Sequence, residues 1–405
     1  MANSFTADFP TIWAREQQEI FYKKNVAQEV ADTSFSSQMA FGDTFKRIYR
    51  STNVNNAPAI YTRWTDVTLT DKTDTAESMS INKQYYEAFY IDNYDAIQTN
   101  YNLALLYGKD TWESLKAQID ADVLYEVINA TSTVDDGTLW GTAGNGIALT
   151  VDNVFKTVTA ATKKLNKLNI NDMDRVWVVS PEFEEIISQY YGAKVTDLWD
   201  SVSENGYFTK IGWFKLFVSN SLTGKAVLAL ATQPTDNDTV TIQSVTFTFK
   251  TTLWVTAGNV LIGASADAAR GNLAALINAP STTTAQGVAL STTNAQNFLA
   301  RAVAVNDDTA NTLTVRYKGA GVLAVSETLT AVADIWTTTL QKQIQLFWVA
   351  KSCTTLIMQK TPKVNDKDNP LRDWRNILNT VLYGVKTFAD QAKKMVAVEI
   401  KSSWF

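Results

Sequence analysis

The chain offers few residues able to do covalent chemistry. It has 405 residues and no histidine, which removes Ser-His-Asp and Cys-His nucleophiles, His-ligated metals and an imidazole pH switch. Cys353 is the one cysteine, so neither an intrachain disulfide nor a thiolate cluster for zinc can form. Set in the apolar run Leu346 to Met358, it reads as a small buried hydrophobe rather than a nucleophile. Carboxylates stand side by side at Asp135-Asp136 and Asp307-Asp308, and acidic loops occur at Asp236/Asp238 and Asp366/Asp368. Acid/base work needs two carboxyl groups across one cleft; neighbours in loops read as solvated turns. These loops also lack the spaced oxygen donors, glycine and closing Glu of a helix-loop-helix calcium site. Gly141-Thr142-Ala143-Gly144-Asn145-Gly146 has no Lys-Ser/Thr ending and no strand directly before it, so it reads as a connector rather than a phosphate loop. No catalytic, cofactor or metal residue is expected, and the reading is not an enzyme.

The elements carry more information than the reactive groups. Between Phe41 and Asn93, apolar and aromatic residues alternate at Val67 and Leu69 and again at Met79, Ile81, Tyr85, Phe89 and Ile91, the period of half-buried strands. Two antiparallel legs of about 20 residues, at ~3.3 Å per residue, would reach roughly 65 Å. A two-stranded ribbon is barely stable alone in water, so this arm is expected to lie on neighbouring copies of the chain. Asp71, Lys72, Asp74, Glu77, Met79, Ile81 and Lys83 are its expected intersubunit residues.

Along the rest of the chain, Pro10 to Ala31 reads as an amphipathic helix with Ile12, Trp13, Ile20, Phe21 and Val26 among charges. Asp110-Thr111 reads as the cap of a helix from Trp112 to about Ala130, with Trp112, Leu115, Ile119, Val123 and Val127 on one face. Thr150 or Asp152 would cap a helix through Val154, Val158, Ala161, Leu165 and Leu168. Val176 to Val179 reads as a buried strand; Ser180 caps the next helix, Pro181 suits its first position, and Glu182, Glu184 and Glu185 complement its positive end. From Thr223 to Gln345 charged residues thin out while Thr, Ala and Val rise. This module is expected to hold a hairpin (Asp238 to Ile242 with Val245 to Phe249), a helix from Ala266 to Asn278 and a strand from Asn311 to Tyr317. Ile344 to Met358 then reads as strands, Lys363 to Pro370 as a polar loop and Met395 to Lys401 as a final strand.

Composition bounds the partners. The chain is 45% hydrophobic and 11% aromatic with net charge -5, ordinary for a folded protein and no polycation that coats nucleic acid by bulk attraction. No segment resembles a secretory signal or a bilayer span, so no membrane partner is expected.

Gly42-Asp43-Thr44 opening a strand, then Val67-Thr68-Leu69 and Ile81 to Asn93, resemble the extended loop of tailed-bacteriophage major capsid proteins, the Hong Kong phage-type fold also found in encapsulins. The valine strand before Ser180-Pro181-Glu182, with Ile211-Gly212-Trp213-Phe214-Lys215-Leu216-Phe217-Val218-Ser219-Asn220, is similar to the axial domain of that family and is its nearest match. Tyr383-Gly384-Val385-Lys386 and the closing strand resemble the end of its peripheral domain, the strand pairing beside a spine helix. The order of these segments carries the resemblance, which covers most of the chain outside the module.

The resemblance implies an α+β phage major-capsid fold: peripheral domain with spine helix, axial domain, extended β-hairpin loop, and an inserted β-rich domain as in podovirus coat proteins. The divisions expected are an N-terminal arm (1–40), the extended loop and the strand after it (41–93), peripheral domain (94–150 and 371–405), axial domain (151–222 and 346–370) and insertion (223–345). It implies a virion shell assembled in the host cytoplasm from pentamers and hexamers around double-stranded DNA. Scaffolding and portal proteins would be partners, with a decoration protein on the outside. Some capsids of this family weld subunits through a Lys on the loop, and Lys72 and Lys83 lie there; non-covalent contact is the expectation. An encapsulin-type compartment and a non-viral surface-binding β protein are the alternative readings.

Overall fold

A computed structural model describes residues 25–39, 41–50, 60–67, 74–92, 103–172, 174–192, 210–211, 214–319, 321–361, 365–368 and 374–401. Most of the helix expected over Pro10 to Ala31 lies outside these residues, as do Asp71 and Lys72.

In chain order, helix α1 (Ala27–Val30) precedes strands β1 (Thr44–Arg50), β2 (Asp74–Ser80) and β3 (Lys83–Asp92). The long helix α2 (Leu103–Tyr125) follows, then β4 (Ser132–Val134), α3 (Val154–Lys167), β5 (Arg175–Val179), α4 (Pro181–Gly192), β6 (Lys210–Ile211) and β7 (Phe214–Val218). The module contributes β8 (Thr223–Ala229), β9 (Thr239–Ile242), β10 (Val245–Lys250), β11 (Asn259–Leu261), α5 (Ala266–Asn278), α6 (Thr292–Arg301), β12 (Ala302–Asp307), β13 (Thr312–Tyr317) and β14 (Val325–Thr328). The chain closes with β15 (Lys342–Val349), β16 (Thr355–Lys360), β17 (Asn365–Asp368), β18 (Trp374–Lys386), α7 (Ala389–Ala392) and β19 (Met395–Lys401).

Strand β15 is the trunk of the central sheet. Along one side it pairs antiparallel with β19; on the other, Lys342 to Ile344 pair with β8 and Leu346 to Val349 pair with β5. The sheet therefore forks into a branch β5, β7, β6 and a branch β8, β13, β12, while β4 adds an edge beyond β19. Around the middle of the sheet both faces are covered, which is why Val176 to Val179, Leu346 to Trp348 and Met395 to Val398 are apolar runs instead of alternating with polar residues. Val176, Val178, Leu346, Trp348, Met395 and Ala397 share a core with Leu115, Ile119 and Val123 of α2. Their neighbours Trp177, Val179, Phe347, Val396 and Val398 share another with Val158 and Leu165 of α3 and Phe183 and Ile187 of α4. The start of α4 is built as expected: Pro181 is its first residue and the Phe183 N–H donates to Ser180 Oγ at 3.3 Å.

A second sheet carries β18 at its centre, with β3 along one side and β16 and β17 along the other. The polar segment expected as a loop thus contains a strand, β17, because β18 offers it a free edge. The final strand β19 belongs to the central sheet, not to this one, although Met395 and Ala397 still meet α2. Helix α2 starts at Leu103, ahead of the expected cap. Thr111 lies within it, donating to the Gly108 carbonyl at 3.0 Å and bonding Asn379 of β18, so its side chain is spent on helix and sheet rather than on a cap. Likewise Asn153, not Thr150 or Asp152, precedes α3, and the Val154 N–H is taken by the Thr150 carbonyl at 3.0 Å.

The module has a core drawn entirely from residues 226–336, including Phe247, Phe249, Leu273, Phe298 and Leu313. The expected hairpin forms, with Ile242 opposite Val245 and Gln243 at φ 55 in its turn, and α5 occupies the expected span. The module is not hung from two linkers, however: β8, β13 and β12 continue the central sheet. Helix α6 and strand β8 were not anticipated.

Trp177 is fully buried among Phe183, Phe214 and Phe347, and its indole N–H has no hydrogen-bond partner. Trp177→Ala should cost about 3–5 kcal/mol, and Trp177→Phe clearly less, because it leaves a smaller cavity and removes the unpartnered indole N–H. Urea unfolding of the purified subunit measures both.

Candidate assembly surface

The arm is a ribbon of its own. Among the described residues, strands β1 and β2, seven residues each, pair only with one another, from Thr44 opposite Ser80 to Arg50 opposite Asp74. At ~3.4 Å per residue the part paired among the described residues is about 24 Å long; residues 51–59 and 68–73, over which the expected legs would continue, lie outside the described residues. Strand β3, expected in the ribbon, pairs with β18 instead; a period of two marks a strand without naming its partner.

The base of the ribbon is clamped to its own subunit. Met79 and Ile81 are buried with Ile357 and Phe388, and Phe35, Met39 and Phe45 pack around them. Arg47 makes a two-pronged ion pair with Asp390 at 3.2 and 2.9 Å and lies over the Phe388 ring. Lys386 donates to the Ser78 carbonyl at 2.7 Å, and Glu77 accepts the Ala389 N–H at 3.2 Å. Gly384 is required here, since a Cβ would stand 2.9 Å from the Ser80 carbonyl oxygen. Of the residues expected to meet neighbours, Glu77, Met79, Ile81 and Lys83 are therefore anchors within the subunit. Asp74 is exposed, and Asp71 and Lys72 lie outside the described residues. Between the strands, Ile60, Tyr61, Trp64 and Val67 are exposed together, with Trp64 at φ 71. Their aromatic content in a polar stretch was the available signal for them.

Where the arm meets the body α2 carries two buried carboxylates, Asp120 and Asp122. Asp122, on α2, receives Lys83 of β3 at 3.0 Å, Lys318 just after β13 at 2.8 Å and the Tyr383 hydroxyl of β18 at 2.7 Å. Burial alone would raise its pKa, but the two ammonium groups and the hydroxyl outweigh that and hold it below the usual carboxylate range. Two residues back on α2, Asp120 accepts the Val26 and Ala27 N–H groups at 2.8 and 2.7 Å, at the N-terminus of α1. The pair went unnoticed in the sequence; acids at 120 and 122 amid Ile119, Ala121 and Val123 were the clue. The Lys83 ammonium is committed to Asp122 rather than presented to a neighbour.

The other chemical candidates are structural. Cys353 is buried, its Sγ 3.1 Å from the Lys394 carbonyl oxygen, and burial pushes its thiol up to about 12. Asp307 accepts the Thr309 and Ala310 N–H groups, and Asp238 those of Thr235 and Thr330. Among the described residues no cluster of three or more metal-ligating side chains occurs, and no helix is long and apolar enough to cross a membrane.

The architecture is a spine helix between two sheets, with a projecting ribbon and a module grown from one sheet: the Hong Kong phage-type capsid fold. A chain from Mycobacterium phage Che8 superposes with a TM-score of 0.56 at 12% identity, over 97% of this chain and 98% of that one. A chain from the capsid of cyanophage P-SCSP1u gives 0.55 at 9% identity, over 98% and 94%. One from the mature capsid of bacteriophage PhiM1 gives 0.53 at 8%, over 97% and 92%. No family model and no curated relative matches the sequence.

Asp122→Asn should cost about 3 kcal/mol, since it leaves two ammonium groups facing a neutral amide. The linkage sign follows from the lowered carboxyl: its contribution is present above the unfolded value near ~4 and is lost as pH falls through the lower folded value. Urea midpoints measured from pH 7 to 3 should fall in the wild type by a component that the variant lacks.

Proposed function

We propose that the chain is the major capsid protein of a tailed phage, a tile that self-assembles as pentamers and hexamers into the head shell around double-stranded DNA. The observation that carries this is a fold shared with phage capsid chains over nearly the whole length, joined to a two-stranded ribbon between whose strands Ile60, Tyr61, Trp64 and Val67 are exposed among the described residues. In this reading the ribbon lies on the next copy, and a head-to-tail contact that closes on itself makes the ring.

The protein acts by packing rather than by catalysis, within the virion, after assembly in the host cytoplasm. Net charge -5 confines DNA contact to a few inner Lys and Arg, so genome binding is weak and unspecific. Scaffolding and portal proteins are its assembly partners, and the module is where a decoration protein would be received. An encapsulin-type shell would use the same tile around an enzyme cargo; the large insertion and phage-like arm favour the phage shell. A non-viral adhesive role accounts for the Thr-rich module and for nothing else.

Electron microscopy of the purified protein should show closed shells or tubes; monomers under all assembly conditions would overturn the proposal. Tyr61→Ser with Trp64→Ser should leave a folded subunit that does not close shells. Mature particles, heated and denatured, should run as one 44.9 kDa band, because Lys83 is held by Asp122; a ladder of multiples would show a covalent weld.

A further inference from the structure

The loop from Asp135 to Gly146 presents one side chain to water at a conformational cost. Trp140 is 99% exposed and sits at φ 77, ψ 13, a left-handed conformation that a bulky residue rarely adopts. The loop is held shut around it. Asp135 accepts the Thr138 N–H at 3.0 Å and the Gly144 N–H at 2.7 Å, and Asp136 accepts the Thr142 N–H at 2.9 Å. A Cβ at Gly141 would fall 2.0 Å from the Asp136 carboxylate and would push it from its place in the loop. Both carboxylates of the pair thus serve to fix the loop. A rigid aromatic held out at a strained position costs stability in the free subunit, the kind of cost that persists where a residue serves binding.

We propose that Trp140 is an intersubunit anchor, inserted into an apolar surface of a second copy of this chain; the inference rests on the shell reading. Two observations select a copy over other partners. Residues 131–155 contain Asp135, Asp136 and Asp152 and no Lys or Arg, which disfavours a phosphate backbone or an anionic lipid surface. The loop also hangs from β4, the strand that bounds the central sheet beyond β19, while the β5 branch ends at β6. A projection at one edge of a tile is placed for the head-to-tail contact that closes a ring. A Trp on a preorganised loop is the residue type that dominates such contacts.

Hydroxyl-radical footprinting of the wild-type protein, read by mass spectrometry, tests this directly. Oxidation of Trp140 should fall at least about tenfold from free subunits to assembled particles, as for a residue at the centre of an interface. Trp140→Gly and Trp140→Asn both accept a left-handed backbone, so the subunit should melt at or above the wild-type temperature. The concentration needed for assembly should nevertheless rise about 30-fold, the loss of one hot spot. A merely structural Trp would give the reverse pattern. Particles in which Trp140 is oxidised as fast as in subunits, or variants that assemble at wild-type concentration, overturn the anchor and leave the shell reading standing. A wild-type protein that forms no particles overturns both.

Discussion

Strand β15 sets the constraint under which the rest of the molecule is arranged. From Lys342 to Trp348 every residue is buried, so both faces and both edges must be satisfied at once. The edges are filled by β19 on one side and by β8 and β5 on the other; the faces are filled by α2 and by the α3–α4 pair. Two of its polar exceptions have side-chain partners: Lys342 pairs with Glu399, and Gln345 donates to Ser180 Oγ at 3.0 Å. A buried backbone leaves no unpaired N–H or C=O cheaply, so each neighbour of β15 is obliged to run where it does.

From that trunk the module is less an accessory than an outgrowth. Its core is its own, yet β8 hydrogen-bonds to the trunk, so force on the module is transmitted into the tile through sheet rather than through a linker. Asp122 reinforces the same junction from the other side. Lys318 comes from the module, Lys83 from the foot of the arm and Tyr383 from the second sheet. A carboxylate buried this deeply is tolerated because its charge is met from several directions, and meeting it holds those elements in one relative position. For a shell protein, such a fixed arrangement would let neighbours find a rigid surface.

The base of the arm is held by its own chain. Burial of Met79 and Ile81 and the Arg47–Asp390 pair fix the angle at which the ribbon leaves, while Ile60, Tyr61, Trp64 and Val67, between its strands in the sequence, are exposed.

The sequence by itself determined what is local. The all-apolar strand Arg175–Val179, the Ser180-Pro181 start of α4, the hairpin turning at Gln243 and the span of α5 could be read from residue order, because propensity, capping and periodicity act over a few residues. The order of segments also carried the capsid fold. Tertiary structure alone decided which strands pair: the same alternation served β2 in the ribbon and β3 beside β18, and a polar stretch became β17 once an edge lay beside it. It also decided that Met79, Ile81 and Lys83 are internal anchors, that α2 begins at Leu103, and that Asp122 is a buried node. These depend on groups brought together from distant parts of the chain. A pattern within one segment encodes which face is apolar, but not what will cover it or which distant charge will answer its own.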